Sequence, residues 1–543
     1  MRLDKKSFLS FYLFFLVPNL PVNISQSFNS FSITTMVFEL RGTALIAMIL
    51  AASGLDFLLF GYDQGLFGGI LAGKGFSSML GDPSPTMTGL VTGVYDIGCA
   101  IGAVAAFFWG EQIGRKRSII YANIIVIIGA AIQTACFSYA QMIVARIIAG
   151  VGVGLSTVAV PILQSETLPS HNRGALLVVQ SGLIIIGVAV ASWLCFATLF
   201  AESSLQWRFP IACQMLFSLL VLCCCPFLPE TPRWLAKRGE HEEASRVISR
   251  LLNKPEDDLE VKGQLNEILE AIAAESREGE ASWNEVFSNA TKSRNLQRVV
   301  LGMGPYMMNQ WSGVNALCYY LAFILETYLG FSSKMSLILA SVAFTQYAVF
   351  SWPPYFYIDK IGRRWTVIWS SIGCSICMAV IAGCLLCQKY TNAAAAVAFM
   401  FLFLDCFTLG ILPVSWSYSA EIQPLRVRNK ATAVGVFSHW MSNFVVVMVT
   451  PIGLNHIGGN YFWIWAIVCA SFVPLTYFFG VETSGRSLEQ IDQMFFDEPR
   501  IMMGLNKNHT RVIKATAADE ESRYRAFAKL NEKAAEIEEV ERT

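Results

Sequence analysis

Charge is what this chain has little of. Asp, Glu, Lys and Arg make up 15% of its 543 residues, against about 25% in an ordinary soluble domain. Forty Lys plus Arg meet forty Asp plus Glu, so neither sign is in excess and no nucleic-acid or polyanionic partner is indicated. Phosphate-binding signals are missing as well. Gly150, Gly152 and Gly154 spell GxGxG, but inside an apolar run with no strand before it, which reads as close helix packing. No nucleophile is paired with a base outside the apolar runs, so no enzyme is expected.

Cysteine is not scarce, at fourteen residues, yet a disulfide framework belongs to short secreted chains with little apolar core. Cys374, Cys377, Cys384 and Cys387 form two CxxC pairs that would suit zinc in a polar loop. They lie instead in the apolar stretch from Trp365 to Leu386, without charged neighbours to balance a metal thiolate. They read as small apolar residues facing lipid or neighbouring helices, and neither metal nor cofactor is expected.

What abounds is apolar sequence, 54% of the chain. A hydrocarbon core of about 30 Å needs roughly 20 apolar residues of helix. Such runs recur at 43–72, 86–110, 118–137, 141–165, 174–200 and 208–228, and again at 297–326, 335–358, 365–387, 394–420, 429–453 and 461–481. They predict an all-α membrane protein of twelve transmembrane helices, with an N-terminal half at 43–228 and a C-terminal half at 297–481. Between them, 229–296 alternates charge with Leu and Ile at helical spacing, as short amphipathic helices outside the bilayer do. The tail from 482 to 543 is similarly charged, and polar from Thr516 onward.

Arg115, Lys116, Arg117, Arg173, Lys360, Arg363, Arg364, Arg426, Arg428 and Lys430 fall on the loops of one side, against Lys74, Arg208, Lys334 and Lys389 on the other. The positive-inside rule then places both termini, the linker and the tail in the cytoplasm. Residues 1–42 read as a cytoplasmic extension. Phe8 to Val17 resembles a signal-peptide core but is too short to span, at about 15 Å. The alternative is an extension upstream of a true start at Met36.

The chain repeats itself. Glu111 with Arg115 returns as Asp359 with Arg363. Glu166 with Arg173 returns as Glu421 with Arg428, and Glu230 with Arg233 as Glu482 with Arg486. The offsets Arg115 to Arg363, Glu166 to Glu421 and Glu230 to Glu482 are 248, 255 and 252 residues. Six helices per repeat make the halves parallel, with a binding site expected between them near the bilayer midplane. An Arg of one loop reaching a Glu of another would latch the halves on the inner side when the protein faces outward, and release when it faces inward. The plainer reading of these residues is capping and surface charge.

At this point the motifs carry a resemblance to the sugar porter family of the major facilitator superfamily, over residues 43 to 496. They are Phe60-Gly61-Tyr62-Asp63-Gln64-Gly65; Pro161 to Gly174, with Leu163 at the family's Tyr position; Pro229 to Leu235; Asn309-Gln310 with Gly313, Asn315, Tyr319 and Tyr320; and Pro413, Trp416, Tyr418, Glu421, Pro424 and Arg428. The resemblance implies that Gln310 and Asn315, supported by Asn309, bond sugar hydroxyls, that Tyr319 closes that side, and that Trp416 stacks on a pyranose face. It also places His439, Trp440 and Asn443 at the site. The family's fifth-helix Gln position holds Ser181, with Gln180 one residue earlier, and His439 stands where an amide is usual. Amides donate and accept and rings cover C–H faces, as hydroxyl-rich ligands require; the alternative is that Gln and Asn join helices.

Ionisable residues inside spans are functional by default. They are Asp56, Asp63, Asp96, Arg146 and Asp405. The resemblance pairs Asp63 with Arg146 in proton coupling. Asp56, seven residues before Asp63, is expected on nearly the same face, pointing into the same cavity about 10 Å deeper. The reading is a monomeric importer of a monosaccharide or related polyol, coupled to protons, in the plasma membrane. A facilitative uniporter and a non-transporting sugar sensor are the alternatives.

Overall fold

The computed structural model describes residues 39–512 apart from 72, 169–172, 202, 279–281, 290–293, 387–389, 487 and 498–500. The N-terminal extension up to residue 38 and the polar tail beyond 512 lie outside the described residues. The described residues from Leu40 onward belong to one unit.

The first half consists of helices Gly42–Ile70, Pro85–Ile113, Arg115–Thr134, Tyr139–Thr167, Arg173–Thr198 and Leu205–Cys224, here called the first to sixth. The second half runs from the seventh helix, Asn295–Trp311 with Val314–Thr327, and the eighth, Ser333–Phe350 with Pro354–Ile361. Arg363–Leu386, Tyr390–Thr408 with Ile411–Glu421, Arg428–Ile457 and Tyr461–Phe479 are the ninth to twelfth. Ten stretches among the described residues are long and apolar enough to cross a membrane. One of them, Lys430–Phe479, holds both the eleventh and twelfth helices, and the seventh falls outside the ten because it is broken into two short pieces. Twelve helices thus stand within a few residues of the expected spans.

Three helices expected to be continuous are interrupted, all in the second half. The seventh breaks at Ser312–Gly313, where Gly313 takes φ +82° and a Cβ would lie 2.7 Å from the Trp465 ring. The eighth breaks at Trp352-Pro353-Pro354, where prolines remove backbone donors. The tenth breaks between Thr408 and Ile411, through Leu409 and Gly410. Apolar periodicity does not reveal such breaks, because the flanking pieces keep their composition. In the first half the membrane helices run unbroken, with Pro161 and Pro210 absorbed inside the fourth and sixth.

Within the first half the GxGxG residues bring helices into backbone contact. A Cβ on Gly150 would lie 2.2 Å from the Tyr95 carbonyl oxygen, and one on Gly154 2.0 Å from that of Cys99, so these glycines give the close packing expected of them, and the helix they pack on is the second. Cys374 and Cys377 are buried in the ninth helix, and Cys387 lies outside the described residues.

The linker forms helices Pro232–Lys237, His241–Leu252, Leu259–Glu278 and Trp283–Val286. Trp234, Leu235, Ala244 and Val247 form a small core of their own, which explains the amphipathic pattern. In the tail, Leu488–Asp497 is followed by a short segment that docks on the second half. The Glu482 amide donates to His509 O at 2.8 Å, and Arg364 Nη2 donates to Tyr477 O at 2.7 Å and Gly504 O at 3.1 Å.

The halves meet tightly on the side away from the linker. A Cβ on Gly89 of the second helix would lie 2.5 Å from Met448 O of the eleventh, and one on Gly68 of the first 3.0 Å from Cys318 O of the seventh. Along the fifth and eighth helices, Ser192 and Ser341 hydroxyls lie 2.9 Å apart and Trp193 Nε1 donates to Thr345 at 2.9 Å.

Candidate functional site

Between the halves lies a small cavity of about 30 Å3, room for no more than a water or two. Phe60, Gln64, Ile184 and Ile185 line it from the first half; Asn309, Gln310, Val314, Asn315, Cys318, Tyr347, Phe407, Leu412, Trp416 and His439 line it from the second. The broken seventh helix positions the amides, because Gln310 ends its first piece and Asn315 begins the next.

These amides form a hydrogen-bonded chain. Asn315 Nδ2 donates to Gln310 Oε1 and to Asn443 Oδ1, and its Oδ1 accepts from Gln64 Nε2. Gln310 Nε2 donates to His439 Nε2 at 2.9 Å, and Asn309 Nδ2 to Ser415 Oγ at 3.0 Å. Trp416 is set by Tyr306 and His439, with ring centroids 5.1 and 5.2 Å away. Donors, acceptors and ring faces therefore converge on one volume.

Five expected site residues sit outside the cavity wall. Gln180 and Ser181 are buried in the fifth helix, one turn from Ile184 and Ile185, which line the wall in their place. Asn443 stands behind Asn315, and Trp440 backs Phe60 at 5.2 Å. Tyr319 is 1% exposed and packs beyond the cavity, where the seventh helix meets the first. Gln64 also lines the cavity, and its signal in the sequence is an amide inside an apolar helix.

The expected pair of ionisable residues is formed. Arg146 Nη1 donates to Asp63 at 2.8 and 2.9 Å, and Gln214 Nε2 donates to Asp63 Oδ1 at 2.8 Å. Arg146 is 0% exposed, donates to Thr92 O at 3.0 Å, and lies over the rings of Phe67 and Tyr95. A charge taken out of water needs this degree of compensation. Asp56 corrects an expectation: it accepts from Asn123 Nδ2 of the third helix at 3.1 Å and does not line the cavity. It does share a face with Asp63, but that face looks into the first half. Asp96 accepts from Asn443 Nδ2 at 2.9 Å, and Asp405 from Gln346.

On the linker side each half carries the same cradle. Arg115 Nη2 bonds Glu166 at 3.1 Å, and Glu230 Oε1 accepts from the amides of Arg115 at 2.8 Å and Lys116 at 3.2 Å. Arg363 bonds Glu421 at 3.0 Å and Asp359 at 2.6 Å, while Glu482 accepts from the amides of Arg363 at 2.9 Å and Arg364 at 3.1 Å. Gly114 and Gly362 make this possible, with φ of +96° and +92°; a Cβ there would come within 2.6 and 2.3 Å of the Glu230 and Glu482 carboxylates. Glu111 pairs with Lys237 and takes Trp234 Nε1 on its carbonyl at 2.7 Å. Arg428 donates to Gln423 O, and Arg486 to Arg511 O at 3.2 Å. Arg233 packs in the linker's first helix, and the Arg173 side chain lies outside the described residues. All these described contacts of the cradles stay within their own half and its flanking segment. Glu230 and Glu482 are each held by the glycine turn of their own repeat.

The family model for sugar (and other) transporters matches residues 47–495. The chain belongs to that family. MFS-type transporter oryC of Aspergillus oryzae is 37% identical, covering 93% of this chain and 96% of the relative. Sugar transporter STL1 of Saccharomyces cerevisiae is 34% identical, covering 87% and 85%. Among solved structures, the proton:xylose symporter XylE bound to 6-bromo-6-deoxy-D-glucose superposes with a TM-score of 0.70 at 22% identity, covering 84% of this chain and 100% of that one. That likeness gives the major facilitator fold. The chain is thus a multi-pass integral membrane protein of a transporter family.

Proposed function

We propose that the chain imports a monosaccharide or related polyol together with protons, by alternating access of its two halves, across the plasma membrane with both termini in the cytoplasm. The observation that carries this reading is the cavity between the halves, lined by Asn309, Gln310, Asn315, Trp416 and His439. Hydroxyl-rich ligands need partners that donate and accept together with an aromatic face, which this set supplies. The name of the STL1 relative and that of XylE, a proton:xylose symporter, support the same substrate class.

Coupling rests on Asp63 and Arg146. A proton arriving at Asp63 removes the charge that holds Arg146, and the arginine's partners must be redistributed. That gives the proton a different binding free energy in the two conformations, as a coupled carrier requires. Asn443 and Trp440 support the wall from behind, and Gln180 and Ser181 stand one turn nearer the linker side. The two cradles, with Glu111, Arg173, Arg233, Arg428 and Arg486 around them, tie the loops of each half so that each rocks as a body.

Uptake of labelled hexoses, pentoses and polyols in transport-deficient cells, repeated with Asp63→Asn and with a protonophore, tests the reading. Accumulation of one of these solutes, lost with either treatment, is expected. Accumulation that survives Asp63→Asn removes the coupling role, and a panel without any uptake removes the substrate class.

A further inference from the structure

Asp96 is a buried acid that the transport reading leaves unused. It lies on the second helix about 16 Å from that helix's outer end, at 1.5 Å per residue, and is 0% exposed. Its Oδ2 has no hydrogen-bond partner among the described residues, and its Oδ1 accepts from Asn443 Nδ2 at 2.9 Å. The two residues belong to opposite halves, so this bond crosses the interface that closes the side away from the linker.

The bond also has a direction. A carboxyl oxygen that accepts from Asn443 Nδ2 turns Asn443 Oδ1 toward the cavity, where it accepts from Asn315 Nδ2 at 2.5 Å. Asn315 Oδ1 is thereby left to accept from Gln64 Nε2, and Asn315 Nδ2 also reaches Gln310 Oε1. Gln310 must then present Nε2 to His439. One acceptor at the end of the chain sets the sense of every amide after it, since each has its donor and acceptor on opposite sides.

We propose that Asp96 is a positioning residue that couples the amide site to closure of the outer side. It holds Asn443 across the interface when the halves meet there, and through Asn443 it fixes which atoms Asn315 and Gln310 present. The inference rests on the transport reading for the meaning of the amide site, but the tie itself is testable without any sugar.

Cys318 provides the readout, because it lines the cavity next to the outer seam and is a free thiol, 2% exposed. In cells displaying the full chain at their surface, its modification by an impermeant methanethiosulfonate is timed against a Cys318→Ser control. Asp96→Ala is expected to speed modification about tenfold by opening the outer side, whereas Asp96→Asn, which keeps an acceptor, stays within about twofold of the unaltered protein. Asn443→Ala breaks the tie from the other half and should match Asp96→Ala, which covers the case in which one variant fails to fold. Unchanged labelling in both alanine variants overturns the proposal. So does an Asp96→Asn rate equal to that of Asp96→Ala, since charge and not acceptance would then be the cause. Uptake measured in the same cells reports separately on transport.

Discussion

The two halves are built on one plan and filled with different chemistry. Their linker-side cradles share an Arg–Glu pair and a left-handed glycine against a carboxylate, at Gly114 and at Gly362, and differ in that Glu111 pairs with Lys237 where Asp359 pairs with Arg363. At the membrane centre they diverge. The first half has unbroken helices and a buried ion pair, Asp63 with Arg146, and gives the cavity one polar side chain, Gln64. The second has three broken helices and supplies the remaining amides, the histidine and the indole. The repeated ends kept one arrangement while the middles diverged, one toward a buried ion pair and the other toward amides and rings.

The sharpest way to break this comparison is to unbalance the charged half. Arg146→Met leaves Asp63 buried without its cation and should cost about 3–5 kcal/mol, read as a collapse of thermal stability in detergent. Adding Asp63→Asn to that variant should restore most of the loss, and a double-mutant cycle that shows simple additivity would separate the two residues. Next comes the shared plan. Gly114→Ala and Gly362→Ala each place a methyl against a carboxylate in a left-handed turn, at about 1–3 kcal/mol, and the two should lower the unfolding temperature alike. Unequal shifts would mean that the cradles are not equivalent.

Changes in the amide half should act on recognition. Gln310→Ala and Asn315→Ala are expected to raise the apparent KM for the transported solute about tenfold each, the weight of one or two buried hydrogen bonds, with little effect on stability. The smallest effect belongs to the cradle ion pairs. Arg115→Lys, at a pair whose side chains are 15% and 12% exposed, should change stability by no more than about 1 kcal/mol. Its signature is a slower maximal uptake rate with KM unchanged.

Much of this was legible in the sequence, for identifiable physical reasons. Apolar runs long enough to span have few other uses, so the twelve helices fell within a few residues of their expected bounds. The pairing of Asp63 with Arg146 was legible through the family resemblance, and its physical reason is that a buried charge must be answered. The breaks at Gly313 and Gly410 were not, since glycine is common in packed membrane helices and only the partner, here the Trp465 ring or the ninth helix, shows why a chain turns there. Asp56 was misdirected because periodicity gives a shared face without saying what that face looks upon. Gln64 and Gln214 carry no charge, so they gave a weaker signal than the acids they accompany.

The docked tail segment sets a boundary for anyone who wants to add to this chain. The His509 carbonyl occupies the Glu482 amide, the Gly504 carbonyl occupies Arg364, and the Arg511 carbonyl occupies Arg486. A fluorescent or affinity module joined beyond Val512 leaves those three donors satisfied. One that replaces the chain from Met503 strips them and loosens the second half's cradle from below, so a weak signal from such a fusion would report on the splice point and not on the carrier.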